Sequence, residues 1–365
     1  MTEHSDSDIS APASGGRAAI RVGIIGAAGY VGGELIRLLE RHPNVHIAGL
    51  QGRDRDHEPV AISHPQLASS DLHIEADLPD VDAVFLALPH GASAPLVPEL
   101  VAQGRRVIDL GADYRLRNAA DYERWYGFRH PAPELLKQAV YGLPEQHRAE
   151  LRDLQGAEVA VVGAPGCYPT TSLLGLYPLA RAGLIADLVV DAKSGTSGAG
   201  RAAKADLVFS EVNESVKAYG ITGHRHISEL EQELQAAGPT PGANPGVQDV
   251  DFVPHLIPMQ RGILAACHVR PTRPVSAADL RDLYREAYAH EPFVRVVDQP
   301  PATSHVRGSN VAHVHPYLNE RTGRILVISV LDNLVKGAAG QAIQAFNLVY
   351  GLPEVAGLQQ LALIP

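Results

Sequence analysis

Cys167 stands in the run Pro165-Gly166-Cys167-Tyr168-Pro169-Thr170, after the apolar stretch Val159–Val162 and before a helical pattern. Pro169 fits a first helical turn, where no backbone N–H is needed. The thiol is thereby placed at a helix start, where the dipole and free N–H groups favour a thiolate and lower its pKa. The same N–H groups can hold an oxyanion on a bound carbonyl. A thiol so placed is a nucleophile. The other cysteine, Cys267, lies in the alternating stretch Gly262–Val269 with nothing beside it to activate it, and reads as core.

A nucleophile of this kind needs a proton carrier. His224-Arg225-His226 opens a helix whose apolar stripe is Ile227, Leu230 and Leu234, with Glu229, Glu231 and Glu233 largely off it. Either histidine can serve Cys167 as base and then as acid. The second pair, His313 and His315, puts two rings on one face of a strand. No carboxylate or cysteine accompanies it at a zinc spacing, so no metal is expected among the 17 histidines.

Glycines mark where a cofactor lies. Ile20–Ile25, then Gly26-Ala-Ala-Gly29-Tyr-Val-Gly32-Gly33, then an amphipathic run is strand, turn and helix. Glycines there let the backbone approach a pyrophosphate on the helix start, so Gly26, Ala28, Gly29, Tyr30 and Val31 are candidate cofactor contacts. Where dinucleotide sites usually carry an acid after the second strand, this chain has Arg53, which suits a 2′-phosphate; Asp54 and Asp56 flank it. Pro89 and His90 follow the third strand, at the carboxyl edge where cofactors bind. Lys193–Arg201 is a second Gly/Ser loop, in which Ser197, Gly198 and Arg201 can hold phosphate or the nicotinamide end. Arg115 follows the fourth strand, and Asn333, opening the terminal helical pattern, can bond a carboxamide.

Elements must bring these groups together. The first half alternates strands (Ile20–Ile25, Val45–Leu50, Ala83–Leu88, Val107–Leu110, Val159–Val162) with helices at Tyr30–Arg41 and Ala94–Gln103, which argues for a parallel sheet covered on both faces. The second half predicts hairpins, Val311–Leu318 with Arg324–Leu331 and Val250–Ile257 with Gly262–Val269. It also predicts helices at Pro169–Ala182, Arg225–Ala236 and Ala277–Ala289, the last capped by Ser276. The expected fold is α/β: a Rossmann-type nucleotide-binding domain plus an α+β domain with a mainly antiparallel sheet. The expected division is a disordered tail at 1–18, a nucleotide domain at 19–164 plus 335–365, and a catalytic and oligomerisation domain at 165–334.

Composition agrees with an enzyme. At 365 residues, two domains are expected. Apolar residues at 45% and charged residues at 20% exclude a disordered chain, and no apolar run is long enough to span a membrane. A net charge of −10 argues against nucleic-acid or anionic-membrane surfaces. Two cysteines exclude a disulfide framework and point to a reducing compartment, the cytoplasm.

Taken in order, Gly26–Gly33, LALPHG at 86–91, DLGADYRL at 109–116, YGLP at 141–144, PGCYPT at 165–170, SGTSGAGR at 194–201, HRH at 224–226 and DNLVKGAAG at 332–340 resemble the N-acetyl-γ-glutamyl-phosphate reductases of arginine biosynthesis. Aspartate-semialdehyde dehydrogenases are wider relatives, without the HRH segment. The resemblance implies NADPH-dependent reduction of an acyl phosphate through a thioester on Cys167, with phosphate released. It also implies His224 or His226 as proton carrier (His224 slightly preferred), Arg115, Arg201 and Tyr219 as substrate contacts, Asn333 at the nicotinamide, and a homotetramer or homodimer. A lysine-pathway reductase acting on an aminoadipyl phosphate differs by one methylene and stays open as an alternative. A cysteine hydrolase using Cys167 and His224 would not need the glycine turn, and a non-catalytic nucleotide-binding protein would leave Cys167 unreactive.

Overall fold

The computed structural model describes residues 18–53 and 55–364; the expected tail up to residue 17 lies outside them. Among the described residues, fifteen strands form two sheets. The first comprises β1 (Ile20–Ile25), β2 (Val45–Gln51), β3 (Glu58–Pro59), β4 (His73–Glu75), β5 (Ala83–Leu86), β6 (Arg106–Asp109), β7 (Val140–Tyr141) and β8 (Val161–Gly163). Their order is β3-β4-β2-β1-β5-β6-β8-β7, and every pairing but β3 with β4 is parallel. A parallel sheet puts the ends of β1, β5, β6 and β8 on one edge, so the glycine turn, the His90 loop, the Arg115 segment and Cys167 all leave from it. Strands covered on both faces need no alternation, and β5 is buried at all four positions.

The second sheet holds β9 (Asp187–Ser194), β10 (Lys217–Ala218), β11 (Asp251–Leu256), β12 (Ile263–Arg270), β13 (Val294–Val296), β14 (Ala312–Asn319) and β15 (Arg324–Leu331), in the order β10-β11-β9-β12-β15-β14-β13. It is mixed and mostly antiparallel. The expected hairpin β14–β15 forms. The other expected hairpin does not. β9 lies between β11 and β12, parallel to the first and antiparallel to the second. The link 257–262 crosses over it, because β9, alternating buried and half-buried, fits the central slot. Ser194, Ile263 and Leu331 share a register, so the loops 195–201, 257–262 and 332–334 meet at one edge.

Helices follow the predicted pattern with shifts of a few residues. The helix that begins at Cys167 runs Cys167–Arg181, two residues longer at its start than expected, and lies across β12 and β15. Ser276 caps Ala277–Ala287 by accepting from Asp279 N at 3.1 Å. The terminal pattern splits into a π-helical turn, Val335–Ala339, and an α-helix, Gly340–Val349. Apolar packing falls into separate clusters. One joins β1, β2 and β5 to Ile343, Phe346 and Val349; another lies between the Cys167 helix and the second sheet. Cys267 is in the latter, fully buried, its thiol pushed up to about 12 by burial.

Candidate active site

Cys167 is the first residue of its helix, and Gly166 before it is extended, with φ −66° and ψ 151°. No side chain caps this helix start. Gly166 N donates to Glu229 Oε2 at 3.0 Å. On its other side Gly166 faces His226 so closely that a Cβ there would lie 2.6 Å from Nε2. Glycine is required for space, and the imidazole rests over the residue that precedes the thiol. The expected lowering of the thiol pKa is not found. Burial pushes Cys167 up and outweighs Arg115 and the helix-start amides, while Glu229 adds to the rise. The resting group is a thiol, and its proton must be removed for attack.

Glu229 is the unexpected centre of the site. It is fully buried, as is Glu233 one turn later on the helix His226–Ala237. Lying off the apolar stripe does not send these two acids to water, because that face docks on the first sheet's domain. Glu229 accepts from Arg115 Nη1 at 3.2 Å and from Tyr141 OH at 3.0 Å. Glu233 pairs with Arg117 at 2.8 Å and with His147 Nε2 at 2.6 Å. Arg115 also donates to Ala164 O at 2.6 Å and Leu110 O at 3.0 Å and is only 6% exposed. Its charge is committed inside the wall of the site, not held out as a free anion contact.

His224 Nδ1 accepts from His226 N at 3.1 Å, and the two rings lie 4.6 Å apart. Tyr168, Tyr219 and Phe252 surround His224; Tyr219 OH donates to Tyr168 OH at 3.2 Å, and Tyr168 OH to His255 O at 3.0 Å. Burial, reinforced by Arg225, takes His224 down to about 4. His226 falls well below its usual value through burial, then His224, Arg115 and Arg225. Both are neutral near pH 7 and able to accept a proton. His90 joins them from the first domain, lowered to about 3 by burial and by Arg225, Arg115 and His224. Its loop is fixed by Asp113, which accepts from Gly91 N at 2.7 Å, Ser93 N at 2.9 Å and Ala94 N at 2.8 Å.

The glycine turn fits a dinucleotide. Gly26 has φ +90°, and a Cβ there would lie 2.3 Å from Ala87 O; at Gly32 it would lie 2.5 Å from Gly26 O. Gly29 meets nothing nearer than Gly26 O at 3.5 Å and leaves its side open. The helix Tyr30–Leu39 has neither a side-chain cap nor an acid in its first turn. The amides of Ala28, Tyr30 and Val31 are therefore available to a phosphate, while Gly29 N donates to Gly26 O at 3.1 Å. Arg201, expected near substrate, donates to Ala28 O at 2.9 Å and sits over the Tyr30 ring. It flanks the glycine turn. Arg53 is exposed in the turn after β2, and Pro89 precedes His90 in its loop. Asn333 donates to Ser197 Oγ at 2.9 Å and accepts from Gly262 N at 2.7 Å, which ties the Ser197–Gly198 loop to the terminal segment.

The residues brought together are Cys167, His224, His226, Tyr219 and Arg115 around the thiol. The cofactor candidates gather at the glycine turn, the His90 loop and the Asn333 edge. Sequence reasoning missed Glu229, Glu233, Asp113 and Tyr141. The i, i+4 acid pair was the one available signal, and it is ambiguous without knowing what it faces. No group of three metal-ligating side chains occurs among the described residues.

Residues 21–154 match the family described as semialdehyde dehydrogenase, NAD binding domain, and residues 167–333 match semialdehyde dehydrogenase, dimerisation domain. The chain is 46% identical over 364 residues to the N-acetyl-γ-glutamyl-phosphate reductase of Heliobacterium modesticaldum, covering 95% of this chain and 100% of that one. It is 47% identical to the enzyme of the same name from Citrifermentans bemidjiense, with the same coverage. Among solved structures, aspartate semialdehyde dehydrogenase II of Vibrio cholerae superposes with a TM-score of 0.68 at 16% identity, covering 91% of this chain and 98% of that one. The aspartate semialdehyde dehydrogenase of Candida albicans with NADP gives 0.67 at 17% and the same coverage. At that identity the likeness is one of fold.

Proposed function

Since the chain belongs to the N-acetyl-γ-glutamyl-phosphate reductase family, we propose that it reduces N-acetyl-γ-glutamyl phosphate to N-acetyl-glutamate 5-semialdehyde and phosphate with Cys167 as nucleophile. The observation that carries the reading is the thiol at an uncapped helix start, beside two neutral imidazoles, on the sheet edge that also bears the glycine turn.

His226 takes the thiol proton. It packs on Gly166, with Nε2 3.9 Å from Glu229 Oε1, which supports it over the slightly preferred His224. Sulfur then attacks the acyl carbon, forming the C–S bond. The helix-start amides hold the carbonyl oxygen as it gains charge. The carbon–oxygen bond to phosphate breaks, and His226 returns its proton to the leaving oxygen. When bound, the nicotinamide supplies hydride to the thioester carbon. The C–S bond then breaks, the aldehyde leaves, and the thiolate regains a proton from solvent through His226. A thiol suits both halves because it attacks well and leaves well.

With Arg115 turned inward, Arg225 is the proposed contact for the substrate's anionic groups. It is exposed beside the histidines and forms no ion pair among the described residues. Tyr219 walls the same pocket. NADP(H) is the proposed cofactor, with Arg53 at the 2′-phosphate, Ala28–Val31 and Arg201 at the pyrophosphate, and Asn333 toward the nicotinamide. Val189, Leu264, Ala266, Leu326 and Ile328 are half-buried on the sheet face away from the Cys167 helix, which supports a homodimer or homotetramer; the cytoplasm is the proposed compartment.

The test is NADP reduction with N-acetyl-glutamate 5-semialdehyde, with and without phosphate. Wild type turns over only with phosphate, faster with NADP than NAD, and faster than with the homologue one methylene longer. Cys167→Ser abolishes turnover; a serine variant near the wild-type rate overturns the reading.

A further inference from the structure

The segment after the second sheet begins with a π-helical turn, Val335–Ala339. Gly337 N donates to Asp332 O and Ala339 N to Leu334 O, both at 2.9 Å and both five residues back. A π-turn holds one more residue than an α-turn, and isolated ones gather at functional sites. This one is held from several sides. Asp332 Oδ1 accepts from Leu334 N at 2.9 Å and Val335 N at 3.2 Å, while Oδ2 accepts from Gly308 N at 2.7 Å and pairs with Arg261 at 3.1 Å. Lys336 is fully buried and donates to Glu145 Oε1 at 2.6 Å and Gln344 Oε1 at 2.7 Å.

Held so, the turn presses Gly337 onto the nucleophile. A Cβ at 337 would lie 2.9 Å from Cys167 Cβ, 3.2 Å from Leu331 Cδ1 and 3.3 Å from Asp332 O. The backbone there is helical and open to any residue, so conformation does not demand glycine; space beside Cys167 does. Dropping the extra residue would rotate the chain beyond it by about 100°. Gly337 and Lys336 would then no longer face Cys167 and Glu145 together.

We propose that Gly337 is a positioning residue: the π-turn uses its missing side chain to set where the Cys167 side chain stands relative to the helix-start amides and His226. The proposal rests on Cys167 being the nucleophile. The test is Gly337→Ala in the full-length protein. It measures kcat, the KM values, NADPH affinity by fluorescence, and the pH dependence of iodoacetamide alkylation at Cys167, read by peptide mass. A displaced thiol predicts kcat at least tenfold lower, KM and NADPH affinity within about twofold, and a shifted alkylation profile. Gly337→Ala/Leu331→Val removes Leu331 Cδ1, gives the new methyl room, and regains part of kcat; it also serves as the reading if the single variant does not fold. Wild-type kcat with a wild-type alkylation profile overturns the proposal, as does a loss of NADPH affinity in step with kcat. A failure of the nucleophile assignment shows separately, as turnover surviving in Cys167→Ser.

Discussion

Glu229→Gln is the sharpest perturbation of this site, because stability and thiol reactivity move in opposite directions. The carboxylate accepts from Gly166 N and Tyr141 OH on one oxygen and from Arg115 on the other. An amide has a single acceptor oxygen. With that oxygen toward Gly166, its NH2 meets the Arg115 guanidinium; with the amide reversed, NH2 meets the Gly166 N–H. Each orientation leaves a donor against a donor, and both leave Arg115 buried without its counter-charge. Breaking a buried pair on one side costs about 3–5 kcal/mol, or roughly 10 °C in the unfolding midpoint of a domain this size. Glu229 also holds the Cys167 pKa up while Arg115 draws it down, so neutralising the acid lowers the thiol pKa. Thermal unfolding and iodoacetamide alkylation of Cys167 from pH 6 to 10 read the two effects. The expected protein is less stable, with an alkylation midpoint at lower pH. A variant of wild-type stability, or one whose midpoint moves up, refutes the argument.

Two neighbouring glycines should separate folding from cofactor binding. Gly26→Ala forces a Cβ onto Ala87 O at a positive φ and should cost about 1–3 kcal/mol in denaturant unfolding. Gly29→Ala meets no such obstacle and should unfold like wild type, yet lose at least tenfold in NADPH affinity by fluorescence titration. Acid should unfold the protein earlier than its carboxylates alone require. His90, His224 and His226 have folded pKa values below 6.5, so the unfolded chain binds more protons; their contribution is whole above pH 6.5 and lost as pH falls toward 4. The His224 shift to about 4 corresponds to about 3 kcal/mol. Asp109, raised to about 6 by burial and then Asp113, opposes this by favouring the fold as pH falls through 6. Urea midpoints from pH 7.5 to 4.5 should still fall, and a flat profile would show that the imidazoles are not desolvated.

Much of the machinery is legible in the sequence because it is local. A strand, glycines at fixed spacing and an amphipathic run are contiguous, and so is a cysteine placed by the proline two residues on. What stays hidden depends on partners far along the chain. Glu229 is 114 residues from Arg115 and 88 from Tyr141; from its own helix alone it is one more acid off the apolar stripe. Arg115 carries the complementary error, since an arginine at a sheet's carboxyl edge looks like an anion contact until its acceptors are known. The order β11-β9-β12 is likewise invisible, because a short link between two strand patterns resembles a hairpin whether or not a third strand enters. The Cys167 pKa depends on burial, which no spacing records.

The helix Gly340–Val349 carries a consequence for synthesis. Its Phe346 ring lies 5.4 Å from Phe85, and Ile343 and Val349 share the cluster of β1, β2 and β5. A ribosome makes the sheet of that cluster first, then the whole of 167–331, and only then this helix. Until it emerges, Phe85 lacks the Phe346 ring and the cluster of β1, β2 and β5 is incomplete; Glu145 waits for Lys336, just before the helix. The first domain is therefore the last to close, and its nascent form leaves apolar surface uncovered throughout translation of the second.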